Sequence, residues 1–183
     1  EIGGAATANA LDTELRNIPG VESLTINRNR ENEIVDGMPP HSFEVVVYGG
    51  SDKEVGETIF NTASIDSNDV GGINGAKKTY TISSDITGDE EVMSWSSPNK
   101  LNLNITLDLI IDDSYVGDAE IRHLIADYIG GTDIDGTQIS GLDVGDDIYE
   151  AIVKRHVVGP SETGVWEVDA LTIDSTNDGT DDT

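Results

Sequence analysis

Gly37-Met38-Pro39-Pro40-His41-Ser42-Phe43-Glu44-Val45-Val46-Val47-Tyr48-Gly49-Gly50 reads as a boundary, a strand and a second boundary. Each proline fixes its own φ and pushes the residue before it into an extended shape, so the chain reaches Phe43 already straightened. Phe43 to Tyr48 is rich in the β-branched and aromatic side chains that suit a pleated surface. Gly49 and Gly50 end the strand. Ser51 or Asp52 then offers an oxygen to the free N–H groups of Lys53 to Val55, which predicts a helix start. Val55 and Ile59, one turn apart, mark the buried face of that helix.

Upstream, Ala8, Leu11, Leu15 and Ile18 fall near helical spacing and stop at Pro19-Gly20. Val21, Leu24 and Ile26 begin a strand, and Arg28 to Gly37 is a polar loop. Downstream, Asp66 to Gly75 reads as loop, and Thr79–Ser83 and Glu91–Trp95 flank Asp85-Ile86-Thr87-Gly88-Asp89 as a hairpin with Gly88 at positive φ. Leu101, Leu103, Ile105, Leu107 and Leu109 alternate with polar residues, the pattern of a strand with one buried face. Ile121, Leu124, Ile125, Tyr128 and Ile129 recur at helical spacing behind Asp118 and Glu120. A fourth helix is expected from Asp146 to Val153, burying Ile148, Ala151 and Ile152, with Lys154-Arg155-His156 closing it against the helix dipole. Val165 to Ile173 alternates again as a last strand, with Trp95 and Trp166 read as core, and the acidic tail from Asp174 to Thr183 is expected to be disordered.

These elements predict an α+β fold: mixed sheets with four helices packed on one side, in two small lobes meeting near Pro98. The expected division is 1–98, a first lobe with the hairpin, then 99–174, a second lobe, then 175–183, the tail. Element order also hints at duplication. Helix, Gly-Val turn and strand occur at Leu11 to Ile26 and again at Ile148 to Ile173; strand then helix occurs at Phe43 to Phe60 and at Leu101 to Ile129. The common economy of α/β packing produces such echoes as well.

The chain of 183 residues carries 36 acidic and 10 basic side chains, a net charge of -26. Self-repulsion on that scale opposes compaction in dilute buffer. The apolar periodicity excludes a wholly disordered acidic chain, which leaves a folded protein adapted to concentrated salt, where the Debye length shrinks to about 3 Å. Cysteine is absent, so disulfides and thiolate metal sites are excluded. No apolar run of about 18 residues predicts a membrane span. So negative a surface argues against a nucleic-acid partner, because phosphate binding draws on clustered Lys and Arg.

Motifs that carry chemistry are scarce. Asp133-Ile134-Asp135-Gly136 puts its glycine at the fourth position where a calcium loop needs it at the sixth, and Asp143 to Asp147 is an acidic loop expected by composition. His41, His123 and His156 are scattered, and His123 falls on the polar side of its helix. Gly71-Gly72-Ile73-Asn74-Gly75-Ala76-Lys77 superficially looks like a phosphate loop but precedes a hairpin, so it reads as a turn. An acid pair for glycoside hydrolysis is a third-ranked reading, since separation in space is invisible in sequence. The expectation is a protein without catalytic residues, cofactor or metal.

The order of turn-bounded elements resembles the baseplate J-like family of tailed-virus wedge proteins, over roughly Ala8 to Ile173. The residues that carry the resemblance are Asn17-Ile18-Pro19-Gly20-Val21, the Pro39-Pro40 turn and strand ending at Gly49-Gly50, Gly71-Gly72-Ile73-Asn74-Gly75, and Trp95-Ser96-Ser97-Pro98. Its structural turn positions are therefore Pro19, Gly20, Pro39, Pro40, Gly49, Gly50 and Pro98. The chain begins with Glu1 and lacks the amino-terminal region that usually precedes this segment, so a fragment, a processed product or a shortened member is expected. What the resemblance implies is a non-enzymatic structural part of a virus tail baseplate, here of an archaeal virus from a halophilic source, assembled in the host cytoplasm. Its partners would be copies of itself in a ring, other baseplate proteins and the tail hub. The rival expectation is a cell-surface or tail-fibre binding module.

Overall fold

A computed structural model describes residues 8–63, 68–83, 88–158 and 163–175. It is an α+β fold of four helices with mixed sheets. The chain divides into two compact units: Glu1–Asn99 with Asp143–Gly145, and Lys100–Leu142 with Asp146–Thr183.

In the first unit, α1 (Ala8–Arg16) buries Leu11 and Leu15, ends at the Pro19-Gly20 turn and leads into β1 (Val21–Asn29). β2 (Ser42–Gly49) is the strand framed by prolines and glycines; Phe43 to Val47 are all buried, as both of its faces and both of its edges are covered. β1 runs antiparallel to β2. α2 (Asp52–Thr62) follows, with Ser51 as its N-cap accepting from the Glu54 N–H, as its position after Gly49-Gly50 predicts. The segment read as loop from Asp66 to Gly75 contains a strand, β3 (Asn68–Val70), parallel to the start of β2. Three residues of Asn, Asp and Val carry no usable period, and only the partner edge of β2 makes them a strand. The hairpin is β4 (Ala76–Ser83) and β5 (Glu90–Ser97), in register from Ala76↔Ser97 to Ser83↔Glu90. Gly88 has φ 75°, and the expected turn residues Asp85, Ile86 and Thr87 lie outside the described residues. The sheet order is β1-β2-β5-β4, with β5 parallel to β2 through Val46↔Ser96. Leu11, Leu15 and Ile18, Val55 and Ile59, Leu24, Phe43, Val45, Val47 and Trp95 form its core. Arg16 bonds Asp12 and Asp143, and Ser23 joins the second carboxylate through its hydroxyl.

In the second unit, β6 (Asn104–Ile111) and β9 (Val165–Asp174) form an antiparallel two-stranded sheet, and α3 (Asp118–Ile129) and α4 (Glu150–Val158) pack on it. A two-residue ribbon, β7 (Gly131–Thr132) with β8 (Gln138–Ile139), follows α3. Four expectations need correction. Leu101 precedes β6 and is exposed, while Leu103 is the first residue of the alternating run to pack on the core. α4 starts at Glu150, not Asp146: the carbonyl of Tyr149 takes the first helical bonds, and Asp146-Asp147 stay outside, where short acidic side chains compete with helical bonding. It runs on to Val158, so Lys154 lies within the helix and Val153 and Val157, not Ala151, are its buried pair. Asp174 ends β9 and is buried, while the tail expected to be disordered lies from residue 176 outside the described residues.

The two strand pairs share a register at their glycine ends. Val21 pairs Gly49, Glu22 is skipped as a bulge, and Ser23 pairs Tyr48; Val165 pairs Ile111, Trp166 is skipped, and Glu167 pairs Ile110. Beyond each strand end the same backbone bond recurs: Gly50 N–H donates to the Gly20 carbonyl at 2.7 Å, and Asp112 N–H to the Gly164 carbonyl at 2.9 Å. From there the registers proceed to Asn29↔Ser42 and Asp174↔Asn104, with one further bulge in the second unit between Asp108 and Leu109. In unit 1 the order is helix, strand, strand, helix; in unit 2 the same pieces come as strand and helix first, helix and strand last. In element order and strand pairing the second unit resembles a circular rearrangement of the first unit's α1–β1–β2–α2 core.

Candidate interaction surfaces

Gly20 and Gly49 lie together at φ 84° and 85°, and a Cβ on Gly49 would stand 2.0 Å from the Gly20 carbonyl oxygen. Gly50, at φ 74°, packs on Val21 and Ile18, the residue before Pro19. Pro39 offers its carbonyl to the Ser42 hydroxyl at 2.7 Å and to the Asn29 amide at 2.9 Å; Pro40 follows it into β2. Pro98 lies against Gly75 at the end of the β4–β5 hairpin.

Sequence reasoning missed Glu44. It sits in the middle of an apolar strand with no exposed surface, yet it is a carboxylate. Its Oε1 accepts from the N–H groups of Ile73 and Asn74 at 2.9 and 3.1 Å and from the Ser96 hydroxyl, and its Oε2 accepts from the Asn74 amide at 2.6 Å. Burial penalises the charge, but the donors of Ser96, Asn74 and Ile73 outweigh it and hold the carboxyl below the ordinary range. Ser96 also accepts from Gly72 N–H at 2.7 Å. The Gly71–Gly75 bend, which looks like a phosphate loop in sequence, therefore does point its N–H groups at an anion, and that anion is the protein's own side chain. The signal available in sequence was a lone acid inside a run of valines.

A cleft of about 610 Å³ opens between the end of β1 and the loop before β2, lined by Ile26, Arg28, Arg30, Val35, Met38 and Asn74 among others. Asn29 holds its wall: the buried amide donates to the carbonyls of Glu33, Met38 and Pro39, and its oxygen accepts from Glu31 N–H. Asp36 and His41 adopt left-handed φ of 49° and 53° in that loop, and His41 bonds Asn32 at 2.8 Å.

In unit 2 Thr106, Asp108 and Ile110, on the face of the β6–β9 sheet opposite the helices, are exposed. Trp166 was expected in the core; it is 72 % exposed, because the bulge at its position turns it away from α3 and α4. Its indole N–H donates to Asp112 at 2.6 Å, and Ser114 also donates to Asp112; these bonds, Ser114's first, hold that carboxyl low. Ile110 and Ile111 are exposed beside it. Trp95, by contrast, is 2 % exposed in the first unit's core, as expected.

The acidic segments weighed for metal are locally engaged. Asp133 accepts from His123 at 2.6 Å, Asp135 from Thr137 N–H at 2.8 Å, and Asp143 from Arg16 and Ser23. The bond to Asp133 raises the His123 pKa above its ordinary value. Among the described residues no three His, Asp or Glu converge as a metal site. No described helix is long and apolar enough to cross a membrane. What the fold and these surfaces define is an α+β protein of two units, one of which carries a two-stranded sheet with no further strand paired to it among the described residues. No protein-family model and no curated protein matches the chain.

Proposed function

We propose that this chain is a structural component of a tailed-virus baseplate adapted to high salt, which works by assembly and without turnover. The observation that carries the assembly reading is the two-stranded sheet of unit 2. Its outer face shows Trp166 and Ile110 to solvent, Ile111 is exposed at the end of β6, and the side chains of Ile105, Leu107 and Leu109 on its inner face are only partly covered. Surfaces of that kind mark interaction sites. At molar salt apolar and shape-matched contacts dominate, since screened ion pairs contribute little. The baseplate location rests on the resemblance carried by the ordered turns from Asn17 to Pro98. Copies in a ring, contacts to other baseplate and hub proteins, and a place at the end of the tail belong to the same proposal.

Immunogold electron microscopy on virus particles purified in high salt tests it. Gold confined to the distal end of the tail is expected; label absent from intact and gently disrupted particles overturns the virion reading. A second reading, a cell-surface or tail-fibre binding module, is favoured by one observation. Trp166, exposed and fixed by Asp112, presents a flat aromatic face of the kind on which sugar rings stack. Quenching or shift of tryptophan emission by host glycans in the parent, lost in Trp166→Ala, would favour that reading.

A further inference from the structure

The equivalence of the two strand pairs singles out one edge of unit 2. In unit 1, β2 is paired on both edges: β1 on one, and β3 with β5, both parallel to it, on the other. In unit 2, β6 is the counterpart of β2 and β9 that of β1. The edge of β6 that matches the β3 and β5 side of β2 has no strand among the described residues. Burial follows the difference. Phe43, Val45 and Val47 are buried, whereas Ile105, Leu107 and Leu109, their counterparts on the helix-facing side of β6, are only partly so. Glu44 and Val46 have no exposed surface, whereas Thr106 and Asp108 at the matching positions are exposed.

We propose that this edge of β6 takes the β4 edge strand of a second copy of the chain, in parallel, as a head-to-tail sheet extension. It rests on the self-association that the assembly reading requires and not on the virion location. Direction selects β4. In unit 1 β4 is the outermost strand beyond β5 and runs opposite to β2. To set its free edge against the free edge of β6 with the helices of both on one face, the second copy must turn by half a rotation in the plane of the sheet. That turn reverses β4 and makes it parallel to β6, the direction in which β3 and β5 meet β2. The other available edges, β1, β9 and β6 itself, all arrive antiparallel under the same condition.

Side-chain chemistry selects it too. Tyr80 and Ile82 lie on the helix-facing side of β4, where Tyr80 packs on α2, and would continue the row of Ile105, Leu107 and Leu109. On the other face β4 carries Lys77, which makes no ion pair among the described residues, and β6 carries Asp108. Opposite charges side by side on neighbouring strands attract, where like charges repel. A lysine-bearing edge is also a guard against indiscriminate strand pairing; at molar salt the ion pair adds little, and strand direction and the apolar row carry the choice. The two edges differ, so the contact is heterologous and each copy keeps one free edge of each kind for the next.

The chain has no cysteine, which makes cross-linking clean. Thr79→Cys on β4 is mixed, in molar salt under mild oxidation, with Thr106→Cys, Asp108→Cys or Ile110→Cys on the same face of β6, the last being the neighbour of Thr79 when Lys77 lies beside Asp108. Parallel neighbours about 5 Å apart fall within disulfide reach. The expected result is a covalent dimer in at least one mixture, none from any variant alone, and a ladder from the matching double variant. Cross-linking of a β6 variant alone would show a symmetric β6–β6 contact and overturn the proposal. So would no cross-link in any mixture, whether the parent chain sediments as an oligomer or as a monomer. Tail labelling without the cross-link would leave the virion reading standing and this contact overturned; the cross-link without tail labelling would do the reverse.

Discussion

A Cβ on Gly49 would meet the Gly20 carbonyl at 2.0 Å, and one on Gly164 would meet the Tyr115 N at 2.4 Å, both backbone atoms that cannot step aside. Both residues also hold positive φ, 85° and 66°. Gly49→Ala and Gly164→Ala are each expected to cost about 2–4 kcal/mol, strain and overlap together, read as a drop in the denaturant midpoint in molar salt. Glu44 makes a sharper case. Glu44→Gln puts an amide among four donors, and a loss of about 1–3 kcal/mol is expected from the donors left unpaired. The carboxyl is held below its ordinary value of 4.5, so its contribution is complete above that pH and disappears as pH falls through the lower folded-state value. The acid limb of the stability curve should therefore flatten in Glu44→Gln; an unchanged limb would remove Glu44 from the account. His123 runs the other way. Its pKa is raised above 6.5 by Asp133, so the pair contributes below that pH and fades as pH rises through the raised value. In a proton NMR titration Asp133→Asn should return His123 toward its ordinary midpoint.

Helices with a clear stripe were legible in the sequence: α1 buries Leu11 and Leu15 as its spacing predicts, and α2 and α3 begin where capping or acidic residues and apolar spacing place them. So were β2, β6 and β9, because alternation or a run of β-branched residues needs no partner to be recognised. What escaped was whatever a neighbour creates. β3 exists because β2 has an edge to fill, α4 begins late because Tyr149 supplies the first acceptor, and Trp166 faces outward because a bulge skips it in the register. Bulges leave no trace in a period-two pattern. The same holds for the candidate surfaces: an exposed tryptophan and a buried glutamate each look, in one dimension, like their opposites. Two substitutions separate the roles at this scale. Ile121→Ala, which empties a buried site beneath α3, should cost about 2–5 kcal/mol. Trp166→Ala should leave stability within about 0.5 kcal/mol, and any loss of assembly or ligand binding in that variant then reports the surface alone.

For the molecule as a whole the charge of -26 sets the conditions under which these experiments are possible. The Debye length falls from roughly 30 Å at 0.01 M salt to 3 Å at 1 M. Thermal unfolding followed by circular dichroism should therefore rise steeply in midpoint between those concentrations, and a midpoint indifferent to salt would contradict the halophilic reading. Five ion pairs, those of Arg16 with Asp12 and Asp143 and those of Lys53, Lys78 and Lys154, link side chains that are each about a third or more exposed, so their screening is a minor loss against the repulsion relieved. The two tryptophans have a further consequence. Trp95 is enclosed in the first unit and Trp166 stands in water on the second. Nature has thus fitted each unit with its own fluorescent gauge: a shielded, blue-emitting indole that reddens when the first unit opens, and a quencher-accessible one that dims or brightens when something settles on the second. A single emission spectrum, taken with and without acrylamide, can follow the two units independently in one cuvette.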